Sequence, residues 1–314
     1  MDAFPASNGF PITDHWALYD PQNPYASRDE RLALCVIANG MQVQNGGRAL
    51  EVSDELIVAV ADSFYYADSI PSYALGKTVR VDVSPQDTLL IDNDTVFITE
   101  KYYYNDTVTH VGKDAPATHF HNTRTGYYLR KFVSNKANML LPSNVQNDHH
   151  LNPLLRRAEV YFNLVEALNE AVGPNATLAG AGAETAADIL IDIRSKYLLA
   201  VGTDPYMTSL ATDKETFRPL IQNERRLEFA FENMRYFDMR RWLLPLEKLS
   251  EPIRGMRVNQ AADGTFTYFG TNPNESNENY IIELRHFDDE KYYYGPIPYA
   301  EIIKAPNMVN NNGW

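Results

Sequence analysis

The sequence predicts a mainly α protein, a tetratricopeptide-like α-α superhelix joined to a loop- and β-hairpin-rich region. Two observations carry the prediction. From about residue 152 onward, apolar residues recur at steps of three and four in consecutive segments bounded by capping residues. Before residue 150 the pattern is one of turn clusters and short apolar runs, with no expected helix longer than two or three turns. The chain therefore divides into a loop- and β-rich region at 1–150, a helical scaffold at 151–250 and an irregular C-terminal segment at 251–314. Its 314 residues provide ample core for such an arrangement.

In the first region, "PQNPY" (Pro21–Tyr25) and "VQNGG" (Val43–Gly47) are turn clusters. "TLLIDNDTVFI" reads as a hairpin: Leu89, Leu90 and Ile91, an Asp-Asn-Asp turn, then Val96, Phe97 and Ile98. "RLALCVIAN" reads as a short buried strand or helical turn and makes Cys35 a buried strand cysteine. It has a faint lipobox shape, but the preceding "SRDE" is not an apolar signal core. One cysteine allows neither a disulfide framework nor a cysteine-based zinc site.

The helices follow. In "NPLLRRAEVYFNLVEALNEAVG" the residues Leu154, Ala158, Tyr161, Val165 and Leu168 fall on one face; Asn152 and Pro153 supply cap and N1, and Gly173–Pro174 stop the helix. "ETAADILIDIRSKYLLAVG" repeats the pattern with Ala186, Ile189, Ile193 and Tyr197 and ends at Gly202. The small-residue linker "PNATLAGAGA" joins the two into an αα-hairpin. A third helix is expected from about Lys214 to Asn233, with Leu220, Leu227, Ala230, Phe231 and Met234 as its apolar stripe. A fourth is expected from Tyr236 to Leu244, stopped by Pro245. Helix pairs with aromatic contacts point to a tetratricopeptide-like stack, although no strict repeat is present. The tail from Glu251 is Asn-rich and irregular, with a short turn at "PYAEIIKAP".

Net charge is −13, so phosphate backbones are repelled and nucleic acid is not an expected partner. No apolar run approaches the ~20 residues of a membrane span. Against that background Arg225–Trp242, "RRLEFAFENMRYFDMRRW", is conspicuous: five arginines, three acids and five aromatics. Arg225 and Glu228, Glu232 and Arg235, and Asp238 and Arg241 each stand three apart, within reach on a helix. A phosphate-binding surface would leave its arginines unmatched. The stretch reads as an arginine–acid lattice tying helix to neighbours, with Arg225, Arg226, Glu228, Glu232, Arg235, Asp238, Arg240, Arg241 and Trp242 as its members. An unseen anionic ligand or a partner interface is the remaining alternative.

That stretch also resembles the signature of the SusD/RagB family, E-R-R-x-E-L-A-F-E-x-x-R-x-F-D-x-R-R-W. Glu224, Arg225, Arg226, Glu228, Ala230, Phe231, Glu232, Arg235, Phe237, Asp238, Arg240, Arg241 and Trp242 match, and Phe229 replaces the leucine. Four further segments agree in order. "NPYASRDERLALCVIANG" is similar to N-P-Y-x-x-R-D-P-R-L, with Glu30 for proline. "TRTGYYLRKFV" is similar to T-G-Y-x-x-R-K, and "LLRRAEVYFNLVEALNE" to L-x-R-Y-A-E-V-x-L-x-x-A-E-A-x-N, with Arg157 for the aromatic. "GPIPYAEIIKAPNMVNNNGW" resembles the closing P-I-P-x-x-E-I-x-x-N-P-x-x-x-Q-N-P-G-W, with Ala305 and Asn312 departing.

The resemblance implies one SusD-like domain, in which 1–150 is part of a loop-rich insertion on the helical scaffold. It implies a surface lipoprotein of the outer membrane in Bacteroidota, a nutrient-binding partner of a SusC-like TonB-dependent transporter. The ligand it implies is an oligosaccharide or, second, a peptide. Members of the family are much longer, so the sequence reads as the C-terminal part of a longer protein, with lipid anchor and first helix pairs preceding Met1.

No catalytic residue, cofactor or metal is expected. There is no G-x-S-x-G elbow, HExxH or phosphate loop. His119 and His121 share a face on a strand, but no third ligand is near, and His149 and His150 read as solvated. "IDNDTVF" is faintly calcium-like, yet a hairpin turn needs the same residues. Asn93, Asn105 and Asn175 in N-x-T read as turn composition. A glycan-active hydrolase, needing two facing carboxylates, and a module that binds only the transporter are the alternatives. The ligand candidates are aromatic: Tyr65 and Tyr66, Tyr102, Tyr103 and Tyr104, Tyr292, Tyr293 and Tyr294, and Trp16. Flat rings pack on the C–H faces of sugars, although half-buried scaffold tyrosines would look the same.

Overall fold

The structure is a computed structural model that describes residues 1–38, 125–132, 153–198, 203–260, 266–269, 281–305 and 307–314; of 42–45, 48–51, 78–81, 88–91, 94–97 and 108–111 the strand backbone is described. Tyr65, Tyr66, Tyr102, Tyr103, Tyr104, His119, His121, His149 and His150 lie outside the described residues. No helix among the described residues is long and apolar enough to cross a membrane.

The fold is a mainly α, tetratricopeptide-like stack. Helix α2 (Arg157–Val172) packs against both α3 (Ala186–Ser195) and α5 (Lys214–Glu228), with the short α4 (Pro205–Leu210) between them in sequence. The spacing of apolar residues explains this contact. Phe162, Val165 and Leu168 of α2, Ile189 and Leu190 of α3, Met207 of α4, and Phe217 and Ile221 of α5 form one buried cluster. Thr185 starts α3 with a reciprocal capping box to Asp188. Asp204, followed by Pro205, starts α4, and Asp213 starts α5 by accepting from two backbone amides. Gly173 ends α2 at φ 87°, where a side chain would be strained.

The boundaries differ from expectation in ways that have causes. α2 begins at Arg157, not at Pro153, and Leu154 is 99% exposed rather than on the core face. Arg156 is held extended because its guanidinium binds Glu228 and Glu232. α3 ends at Ser195, short of Gly202. α5 ends at Glu228, not Asn233: Phe231 and Asn233 both take left-handed backbone, and α6 (Met234–Arg241) starts afresh beyond them. The turn throws Phe231 outward, 47% exposed, instead of placing it in the stripe. Helix α7 (Leu246–Leu249) and α4 were not expected, and the tail holds α8 (Tyr299–Lys304) where a turn was expected.

The N-terminal region packs on α5. Phe4, Leu32, Cys35 and Val36 bury against Leu227. Cys35 is buried as expected, but it closes the short helix α1 (Glu30–Cys35) rather than sitting in a strand. Strands β1 (Val36–Ile37) and β8 (Tyr128–Leu129) pair antiparallel. The predicted hairpin is present as β5 (Thr88–Ile91) with β6 (Asp94–Phe97), and the Asn-Gly-Gly cluster joins β2 (Gln42–Asn45) to β3 (Arg48–Glu51). β4 (Thr78–Val81) pairs with β7 (Val108–Val111), β9 (Ile253–Arg254) with β12 (Ile281–Glu283), and β10 (Arg257–Gln260) with β11 (Phe266–Phe269).

Gly126, between these elements, is at φ +77°, and a Cβ there would stand 2.5 Å from the Met256 carbonyl oxygen. The Met256 amide also donates to the Thr125 oxygen at 2.9 Å, which fixes the approach. Gly126→Ala is therefore expected to destabilise by at least the ~1–2 kcal/mol of a left-handed alanine. A urea unfolding midpoint equal to that of the parent would show that the two segments separate at no cost.

Candidate functional site

The Arg225–Trp242 stretch bends back on itself and meets charged residues from four other parts of the chain. Glu224, the residue just before the stretch, is buried and 1% exposed. It accepts from Arg31 of α1 at 2.8 Å and from Arg194 of α3. Arg31 is in turn held by Asp29 at 2.6 Å, and Arg194 by Asp204 at 2.5 Å and the Gly9 carbonyl at 2.7 Å. Burial pushes the Glu224 carboxyl up, but the charges of Arg31 and Arg194 and their hydrogen bonds outweigh it and leave it below the usual range.

Two further knots flank this one. Lys131 and Arg156 converge on Glu232 at 2.5 and 2.8 Å, and Arg156 also reaches Glu228 at 3.0 Å. The Lys131 ammonium bonds the Glu228 and Ala230 carbonyls, which the end of α5 leaves without helical partners. On the other side, Asp238 takes Arg225 and Arg241 at 2.8 Å each. Arg241 continues to Glu166 of α2 at 2.6 Å, and the Trp242 indole N–H donates to the same carboxylate at 2.9 Å. Burial raises the Glu166 carboxyl, and the Arg241 and Trp242 hydrogen bonds bring it below its ordinary value.

Of the three pairs expected from spacing, Asp238–Arg241 is formed. Arg225 goes to Asp238 instead of Glu228, and Glu232 goes to Lys131 and Arg156 instead of Arg235. The turn after Glu228 removes the helical register on which the expected Glu232 pair rests. Arg240 stacks over Tyr236, 3.5 Å from its centroid, and donates to the Tyr292 carbonyl at 3.2 Å. Arg226 and Arg235 are not in the lattice; both line a cavity beside it. Arg194 and Asp204 are members that periodicity did not single out. The signal for Arg194 was its place four residues after Leu190, on the buried face of α3.

The described aromatic candidates lie in two places, and among the described residues no ring contact links them. Trp16 stands on an N-terminal loop with 68% of its surface exposed. Its backbone is fixed: its N–H donates to Asp14 at 2.8 Å, and its carbonyl accepts from Asn8 at 2.7 Å. The His15 ring meets the indole edge-on at 4.3 Å. Tyr292, Tyr293 and Tyr294 form a second cluster with Phe287 and Trp314. Tyr292 packs edge-on against Trp314 at 5.7 Å, whose indole N–H donates to the Lys291 and Tyr294 carbonyls at 3.1 and 3.0 Å. The Tyr293 hydroxyl donates to the Leu244 carbonyl, which commits it to the scaffold, whereas Tyr294 is 60% exposed. Among the described residues no group of three His, Cys, Asp or Glu side chains could hold a metal ion.

The sequence profile of the SusD family matches residues 1–314. The chain belongs to the SusD family. SusD-like protein P2 of Formosa agariphila is 28% identical over 159 residues, half of this chain and 25% of that protein. Two solved structures from Bacteroides fragilis NCTC 9343 share the fold. A SusD-like protein aligns with all of this chain at a TM-score of 0.56 and 22% identity. A SusD-like carbohydrate binding protein aligns with 98% of it at a TM-score of 0.57 and 22% identity. The chain spans a little under half the length of these SusD-like structures, 46% and 47%. Asp29 and Arg31, Lys131, Arg156, and Glu224 to Trp242 meet in the lattice from four separate segments of the chain.

Proposed function

We propose that this protein is a non-catalytic, surface-exposed glycan-binding protein that delivers its cargo to a SusC-like TonB-dependent transporter of the outer membrane, to which a lipid anchor on the whole protein would keep it close. Peptide is the second ligand class. Family membership supports the reading, and the SusD-like carbohydrate binding protein of B. fragilis shares the fold. The observation that carries it is Trp16. A large flat indole, exposed on a backbone already fixed by Asp14 and Asn8, loses little freedom when a sugar ring packs on it. The second carboxylate oxygen of Asp14, beside the ring, is the group left to meet a hydroxyl. Tyr294 is a further exposed ring among the described aromatic candidates, in a different part of the surface.

Affinity electrophoresis against a panel of polysaccharides tests this. Retardation by at least one glycan is expected, weakened about tenfold by Trp16→Ala, the loss of one well-placed aromatic contact. Retardation unchanged in Trp16→Ala would remove Trp16 from the site and shift attention to Tyr294. No retardation by any polysaccharide would sink glycan capture by this chain. Co-purification of the whole protein with a TonB-dependent transporter is the expected sign of the partner.

A further inference from the structure

Beside the ion lattice lies a cavity of about 590 Å³, within the ~300–1,000 Å³ of small-ligand sites. Its wall holds Arg226 of α5, Arg235 of α6, Arg285 beyond β12 and Arg254 of β9. The first three differ from the other arginines of this region. Arg31, Arg156, Arg194, Arg225 and Arg241 each bind a carboxylate. Among the described residues Arg226, Arg235 and Arg285 form no hydrogen bond and no ion pair. Asp2 is the one acid on the wall, and Glu251 acts on Arg226 from further off.

Like charges gathered in a concave, partly desolvated place raise the free energy of the unliganded protein. Burial, and then repulsion from Arg226, push the Arg235 guanidinium down to about 10, and the attraction of Asp238 and Glu251, neither of them bonded to it, does not make up the loss. The remaining wall mixes aliphatic side chains with aromatic rings. Tyr236 and Phe231 line it and are 55% and 47% exposed. Guanidinium forks match planar and tetrahedral oxyanions, while rings match the C–H face of a pyranose.

We propose that this cavity binds the anionic group of an acidic oligosaccharide, a uronate carboxylate or a sulfate ester, with Arg226, Arg235 and Arg285 as its cationic receptor and Tyr236 and Phe231 as its ring-stacking wall. The assignment rests on the glycan-binding reading, and names the sugar chemistry that reading leaves open. An acidic peptide has the charge but not the flat face that the exposed rings would meet.

Calorimetric titration of this chain at low salt tests it, with four probes: a short uronic-acid oligosaccharide, its methyl-esterified uncharged form, inorganic sulfate and an oligoglutamate peptide. The acid is expected to bind at least about tenfold more tightly than the ester, the worth of one charge-assisted bidentate contact. Arg235→Gln and Arg285→Gln, on different elements, should each cost about tenfold, and Arg235→Lys less. Neither glutamine variant removes a bond within the protein and each relieves like-charge repulsion, so neither should fall below the parent's thermal midpoint. Equal binding of acid and ester, unchanged in both glutamine variants, would overturn the acidic site and leave glycan capture standing. Tightest binding by oligoglutamate, with no saccharide bound, would overturn both. Binding of sulfate alone would mark an ion site without a sugar and overturn the proposal.

Discussion

Glu224→Ala is expected to lower the stability of the fold by about 3–5 kcal/mol, the cost of leaving buried charges without their partner. Glu224 is the shared acceptor of Arg31 and Arg194, whose side chains are 4% and 2% exposed. Removing it leaves Arg31 with Asp29 and Arg194 with Asp204, and strips each buried guanidinium of the acceptor the two share, so that N–H groups are left unbonded in a closed space. The loss should appear as a lower urea midpoint at unchanged slope. Lys196→Ala is the control. Its pair with Asp192 is 59% and 65% exposed, and such pairs contribute about 0–1 kcal/mol. A loss below ~1 kcal/mol in Glu224→Ala would mean that water enters and solvates the two arginines. pH gives an independent reading. The folded-state pKa of Glu224 lies below its ordinary value, so its contribution is fully present above the unfolded carboxylate range of about 4.3. It is lost as pH falls through the folded value. The acid limb of stability against pH should therefore be shallower in Glu224→Ala than in the parent.

The helical half was legible because α2, α3 and α5 bury their faces at regular spacing, and periodicity reports burial directly. Their ends were less so, since ends are set by contacts that sequence spacing does not contain. Asn152–Pro153 looks like a start, yet Arg156 is committed to Glu228 and Glu232 and stays extended. Phe231 fits the stripe by count, yet the chain turns left-handed under it. The arginine–acid character of Arg225–Trp242 was visible, but not its pairing. Local spacing suggested neighbours three residues away, whereas the partners Arg31, Lys131, Arg156 and Arg194 come from distant segments. A local rule ranks nearby charges and is blind to ones that the fold delivers. The separation of Arg226 and Arg235 from the lattice was invisible for the same reason. Exposure of a ring is likewise a property of its surroundings: Trp16 and Tyr293 looked alike as candidates, and only the folded chain gives Tyr293 a carbonyl to bind.

Phe162→Ala should cost about as much as Glu224→Ala, some 3–5 kcal/mol, because a fully buried ring is replaced by a cavity that the helices close only in part. Phe162 has no exposed surface and lies where α2 faces the end of α5. Phe162→Leu, which keeps most of the volume, should cost under ~1.5 kcal/mol. The alanine variant also tests how the apolar core and the charged lattice are joined. Phe162 packs edge-on against Phe229 at 5.7 Å. Phe229 in turn sits under two guanidiniums, Arg156 at 4.8 Å and Arg225 at 5.1 Å from its centroid. Loss of the Phe162 ring frees Phe229 to tilt, and with it the two arginines that hold Glu232 and Asp238. Phe162→Ala and Arg156→Ala should therefore be non-additive in a double-mutant cycle, with a coupling of about 0.5–1.5 kcal/mol. Additivity within ~0.3 kcal/mol would show that core and lattice stabilise the fold independently. Coupling of the expected size would explain why a phenylalanine at 229 suits this chain: a ring can pack on the core and carry two cations at once.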